Sequence, residues 1–271
     1  MLRQRVVTAV ILAPIGIATI LLIPAEYFWF LLAFILGLVA WEWVQFGGYS
    51  SQRIRVPAGL AAAGLIALVL SRSDPGQAVA ISAIAVAAWL ASLVWFRFRS
   101  FSSGSGPASR FFKLGVGLAV IVSCSVALGH LFSFPQGRAW FICLLLLIWS
   151  ADVGAYFVGK QFGRRKLAPG ISPGKTWAGV YGGLAAAAIV SGAAAALFGL
   201  RGTALVMLVL VGVATAAVSV LGDLLASLMK RQSGLKDSSA LLPGHGGAID
   251  RFDSLMAAAP VFYLGVGWVG H

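Results

Sequence analysis

Between Ser227 and Asp253 the chain reads SLMKRQSGLKDSSALLPGHGGAIDRFD, gathering four Lys or Arg, three Asp and a His in a protein that is 60% hydrophobic. A Lys, Arg or Asp at the centre of a membrane helix costs about 2.5 to 3.5 kcal/mol on insertion scales, so such a cluster belongs on a solvated edge and marks a site of chemistry. Both signs of charge are present. Lys230, Arg231, Lys236 and Arg251 suit phosphate, while Asp237, Asp250, Asp253 and the preceding Asp223 suit a hard divalent cation held through oxygen. Asp223, Ser227 and Lys230 fall at i, i+4 and i+7, one helical stripe that presents a metal ligand, a hydroxyl and a cation to a polar interior rather than to lipid. A salt bridge from Asp223 to Lys230 that only ties helices together is the plainer alternative. His245, Gly246 and Gly247 can form a tight turn whose amides point at an anion, with the imidazole positioning by hydrogen bond ahead of moving a proton.

A second polar group runs from Ser150 to Gly179, SADVGAYFVGKQFGRRKLAPGISPGKTWAG. Asp152, Tyr156 and Gly159 share one side of a helix, and an Asp inside an apolar span is functional by default. The loop after this helix carries Lys160, Arg164, Arg165, Lys166, Ser172 and Lys175 among Pro169, Gly170, Pro173 and Gly174, a rigid, kinked chain with exposed amides where phosphate is at home. Arg164, Arg165 and Lys166 serve equally well as an anchor to anionic lipid. Glu42, between Trp41 and Trp43, reads either as an interfacial residue or as a buried partner for a basic side chain. His130 and His271 lack polar company and read as bystanders.

The order Ser227-x-x-Lys230-Arg231, Lys236-Asp237, Pro243-x-His245-Gly246-Gly247-x-x-Asp250-Arg251-x-Asp253 resembles the signature of the phosphatidate cytidylyltransferases, also called CDP-diglyceride synthases. More than ten fixed positions over about 27 residues make the match far more specific than a lone glycine-rich tripeptide. Ile171-Ser-Pro-x-Lys-Thr resembles a second segment of that family. Two positions depart: Ala248 replaces a larger aliphatic residue, and Ala178 stands where the family usually has Glu, two residues after Thr176. The resemblance implies that CTP and phosphatidate give CDP-diacylglycerol and pyrophosphate, with magnesium as cofactor, a second cation such as potassium, and a homodimer. Asp223 and Asp250 close the two ends of the signature and are the expected metal ligands. Catalysis then falls to these two with Lys230 and Ser227. Lys175, Ser172, Arg231, Lys236, Asp237, His245, Gly246, Gly247, Arg251, Asp253 and Asp152 bind substrate, with Asp237 and Asp253 either orienting those cations or joining the metal shell. Three rivals are weighed: a nucleotidyltransferase acting on another lipid phosphate, a transporter, and a CDP-alcohol phosphotransferase. The last is disfavoured because no Asp-Gly-x-x-Ala-Arg arrangement occurs, and a transporter would spread its polar residues through several spans.

Composition dictates the scaffold that holds these side chains. Of 271 residues only 10% are charged, and the mean hydropathy is +0.94. Apolar runs approach or exceed the roughly 18 residues that span a bilayer, predicting an all-α, polytopic integral membrane protein and excluding a soluble core. Nine spans are expected: Val6 to Ile23, Tyr27 to Gly47, Val56 to Ser71, Ala78 to Phe96, Phe111 to Phe132, Trp140 to Val158, Trp177 to Leu200, Thr203 to Met229 and Ser254 to Val269. The third is short and could be re-entrant. They form one integral membrane domain, residues 1–271, with its catalytic part at about 150–253. Sorting basic residues between alternate loops leaves 17 of 20 on one side, with only Arg72, Arg138 and Arg201 on the other. That split predicts a cytoplasmic N-terminus and an active site facing the cytoplasm from the cell inner membrane. The net charge of +12 is a belt facing anionic headgroups. No basic-aromatic module large enough to grip nucleic acid appears. The first span lacks a small-residue cleavage site and reads as uncleaved. Ser102 to Pro107 reads as a flexible link, and Cys124 and Cys143, inside apolar runs without metal spacing, read as buried small hydrophobes.

Overall fold

Lipid offers backbone amides no hydrogen-bond partner, so apolar runs of this length close their hydrogen bonds internally as helices. A computed structural model of the chain describes residues 14–97, 104, 106–235, 237–239, 241 and 246–269. Residues 14–22 are helical (α1). They are followed by α2 (Ala25–Trp43) with a 3-10 turn at Val44–Gly47, α3 (Gln52–Arg72), α4 (Pro75–Arg97), α5 (Pro107–Phe132) and α6 (Gly137–Phe162). After two short strands, β1 (Lys166–Ala168) and β2 (Ser172–Thr176), come α7 (Trp177–Leu197), α8 (Gly202–Gln232) and α9 (Ile249–Val269). Eight of these helices, α2 to α9, are long and apolar enough to cross a membrane. Residues 6–13 of the first expected span, and residues 102, 103 and 105 of the expected link, lie outside the described residues.

The third span is full length rather than re-entrant. Ser51 caps α3, its hydroxyl accepting from the Arg53 amide at 3.3 Å, so the helix starts ahead of its apolar run and reaches 21 residues. The helical reading also missed a hairpin. Pro169 and Gly170 occupy the centre of a turn closed by the Ile171 amide donating to the Ala168 carbonyl at 3.0 Å. This lets β1 and β2 pair antiparallel, Lys166 opposite Thr176 and Ala168 opposite Ser172.

Glycine and alanine set how closely the helices pack. Along the α6–α7 seam, a Cβ on Gly154 would lie 2.6 Å from the Gly182 carbonyl oxygen, and one on Gly179 would lie 2.9 Å from that of Ala155. At the α8–α9 crossing Gly222 backs directly onto the Asp253 carbonyl, with the Ala257 methyl at 3.0 Å from any added Cβ. α9 is the most buried of the eight spans, with Ala257, Ala258, Ala259 and Phe262 fully enclosed. Ile84, Ile189 and Leu210 face outward, so the helices are apolar on both inner and outer faces, as a bundle surrounded by lipid requires.

Candidate active site

The α6–α7 seam opens at one end into a cavity of about 610 Å³ bounded by α6, α7, α8 and the hairpin, with Ser254 of α9 at its edge. Asp152, Tyr156 and Gly159 all line it, as their spacing on one helix side predicts. Lys175 reaches in from near the end of β2, where the backbone is fixed by its next two residues. Thr176 caps α7 by accepting from the Gly179 amide at 3.1 Å, and the Trp177 amide donates to the Arg165 carbonyl at 3.0 Å. The Lys175 ammonium meets Asp223 Oδ2 at 2.5 Å, while the Ser227 hydroxyl donates to Asp223 Oδ1 at 3.2 Å. Asp152 and Asp253 both lie within electrostatic reach of Asp223 and of Lys175. Three carboxylates therefore share Lys175, with Arg251 also acting on Asp152 and Lys230 on Asp253, and Lys160 and Lys166 line the same cavity, so both signs of charge meet there. Among the described residues no three His, Cys, Asp or Glu side chains are grouped so as to hold a metal ion by themselves. A magnesium ion here would take one or two carboxylates and fill its shell from water and substrate phosphate, which is how that ion is commonly bound.

The second half of the stripe faces the α8–α9 connection. Lys230 pairs with Asp250 Oδ1 at 2.6 Å, so the plainer alternative of an Asp223–Lys230 bridge is not the one formed. Asp250 Oδ2 accepts from the Ser238 and Gly247 amides, each at 3.0 Å, with the Ser238 hydroxyl also at 3.0 Å. The glycine turn does aim an amide at an anion, and that anion is the protein's own Asp250. Gly246 has φ of +75°, and a Cβ there would stand 2.6 Å from Asp250 Oδ2. Asp223 and Asp250 are thus each neutralised by a different lysine, on one face of α8 and at the first turn of α9.

Of the other candidates, Arg231, Asp237 and Arg251 are exposed near these groups, and Arg251 acts electrostatically on Asp152. Ser172 lies in β2 and is not among the described residues lining the cavity. Ala178 is in the first turn of α7, which carries no acidic residue. Lys236 and His245 lie outside the described residues. His130 is not without polar company: its Nε2 is 3.0 Å from the Ser73 hydroxyl, at the opposite end of the bundle from the cavity. Of the two roles read for Glu42, a buried partner for a basic side chain holds in part, since it acts electrostatically on the buried Arg55, but its hydrogen bonds go elsewhere. It is fully enclosed at 0% exposure, and its carboxylate accepts from the Ala248 and Ile249 amides, both at 2.8 Å. It also accepts from the Ser238 and Ser239 hydroxyls at 2.8 and 2.5 Å. The only sequence signal was its cost, a carboxylate in an apolar run; its partners lie some 200 residues away and leave no trace in local spacing.

A multi-pass bundle with lysines and carboxylates concentrated at one end defines a membrane protein equipped to handle phosphate groups. The chain belongs to the cytidylyltransferase family, whose model matches residues 3–268. It is 41% identical over 262 residues to the phosphatidate cytidylyltransferase of Pseudomonas aeruginosa, covering 97% of this chain and 96% of that protein. It is 36% identical to that of Haemophilus influenzae, covering 97% of each, and 29% identical to that of Staphylococcus epidermidis, covering 97% of this chain and 98% of the relative.

Proposed function

We propose that the protein transfers the cytidylyl group of CTP to phosphatidate, forming CDP-diacylglycerol and pyrophosphate at the cytoplasmic face of the inner membrane. The observation that carries this reading is the Lys175–Asp223 pair in a polar cavity at the end of a membrane bundle. The attacking phosphate monoester has a second pKa near 6, so it is largely ionised at neutral pH and needs little help from a base. What it needs is relief from repulsion as one anion approaches the α-phosphorus of another. Lys175 and Lys230 supply positive charge to the phosphates, and each leaves behind a carboxylate, Asp223 or Asp250, with hard oxygens suited to a cation. Asp223, with one oxygen on Lys175 and the other on the Ser227 hydroxyl, is the residue that would hold magnesium together with water and substrate phosphate, whereas Asp250 is already met by Lys230, Ser238 and Gly247. The ion would supply electrostatic stabilisation of the transferring phosphoryl group. Seven residues separate Asp223 from Lys230, a rise of about 10 Å along α8, enough to accommodate several phosphates in a row. Arg231 and Arg251 extend the phosphate site towards the signature loop, and the sequence adds Lys236 to it.

The cytoplasmic assignment draws on charge. The α3–α4, α5–α6 and α7–α8 connections, with Arg72, Arg138 and Arg201, lie at the end away from the cavity. The acyl chains then enter sideways between helices with the headgroup at the cavity mouth. The test is a product assay with purified protein in liposomes, phosphatidate and labelled CTP, with and without magnesium, and with other nucleotides in parallel. Magnesium-dependent CDP-diacylglycerol is expected, and absence of product from CTP overturns the reading.

A further inference from the structure

Glu42 has no part in the signature, yet it explains why the signature has its shape. Its carboxylate holds both ends of the α8–α9 connection at once, Ser238 and Ser239 on one side and Ala248 and Ile249 on the other. Gly247 lies so close beneath that any Cβ would strike both the Glu42 carboxylate and the Ser238 hydroxyl. The second glycine of the His-Gly-Gly triplet is therefore the space that Glu42 occupies. Nearby, Gln45 donates its side-chain amide to the Ser238 carbonyl, and the Ser233 hydroxyl donates to the Phe46 carbonyl at 3.4 Å, so the end of α2 grips the connection at several points. Enclosing a carboxylate is costly unless donors compensate it, and here two of the four donors are the amides of Ala248, just before α9, and of Ile249, its first residue, where negative charge is favoured. The hydroxyl of Ser238 has one proton to give and stands between Glu42 Oε2 at 2.8 Å and Asp250 Oδ2 at 3.0 Å.

We propose that Glu42 is a positioning residue for the transfer reaction: it closes the α8–α9 connection and so fixes Asp250 and Lys230 in register with the cavity. The proposal rests on the function proposed above, and wild-type protein that makes no CDP-diacylglycerol from CTP refutes that function rather than this role. Replacing Glu42→Gln keeps the volume but turns an acceptor into a donor facing N–H and O–H groups. With active wild type as reference, kcat of the Glu42→Gln variant is expected to fall at least tenfold while KM for CTP changes less than threefold. Hydrogen exchange is expected to quicken at the 247–249 amides and to stay unchanged in α5, α6 and α7. Because that variant can fail to fold, Ser238→Ala and Ser239→Ala each remove one donor and keep the charge, with kcat expected to fall two- to fivefold. The proposal is overturned if kcat of Glu42→Gln stays within twofold of wild type while those amides exchange faster. It is equally overturned if exchange quickens throughout the bundle, or if both serine variants turn over at the wild-type rate.

Discussion

At the scale of single residues, two lysine–aspartate pairs divide the charge of the site, and each partner has a separable consequence. Asp223→Asn and Asp250→Asn are expected to lower magnesium-dependent product formation by about a hundredfold or more, the scale seen when a group stabilising transition-state charge is removed. Thermal unfolding of the purified variants checks that the loss is chemical. Lys175→Met leaves Asp223 facing Asp152 and Asp253 without their shared counter-charge, so it is expected to lose activity to a similar extent. Ser172→Ala serves as the contrast. Its side chain is half-buried on β2 and does not line the cavity, so turnover within about twofold of wild type is expected. The stripe of Asp223, Ser227 and Lys230 was legible from spacing because a helix repeats every 3.6 residues. Which lysine would meet which aspartate was not, because each pair joins two elements and no periodicity links them.

At the scale of elements, the site depends on how closely two helix pairs approach. Asp152 and Lys175 stand on opposite sides of the α6–α7 seam, and that seam is packed backbone to backbone at Gly154 and Gly182. Gly154→Ala is expected to push the helices apart, costing about 1 to 3 kcal/mol of stability. Its activity falls with the separation. Gly115→Ala in α5 meets nothing within 4 Å and is expected to leave activity intact while gaining up to about 1 kcal/mol from helix propensity. Comparing the two by thermal unfolding separates a seam effect from a general intolerance of glycine replacement. The helices themselves could be read from the sequence because apolar length leaves no other backbone solution in lipid. The hairpin could not, since Pro169-Gly170 announces a turn without saying that its flanks pair. The start of α3 also escaped the apolar pattern, because a polar cap rather than hydrophobicity determines it.

At the scale of the whole molecule, the uneven distribution of arginine and lysine makes sidedness testable. Cys124 and Cys143 are buried and unpaired, so a single introduced thiol can report alone. An impermeant maleimide added to intact cells is expected to label Arg201→Cys and to spare Lys166→Cys, and the reverse pattern would invert the orientation. The buried attachment of α2 to the start of α9 has a consequence for how the molecule is made. Glu42 and Ile249 are 207 residues apart, which at translation rates of about 5 to 20 residues per second means roughly 10 to 40 s between their emergence from the ribosome. Throughout that interval the carboxylate at the end of α2 lacks the four donors it will finally meet, so water and Arg55, which emerges soon after it, are its available company until the last helix arrives.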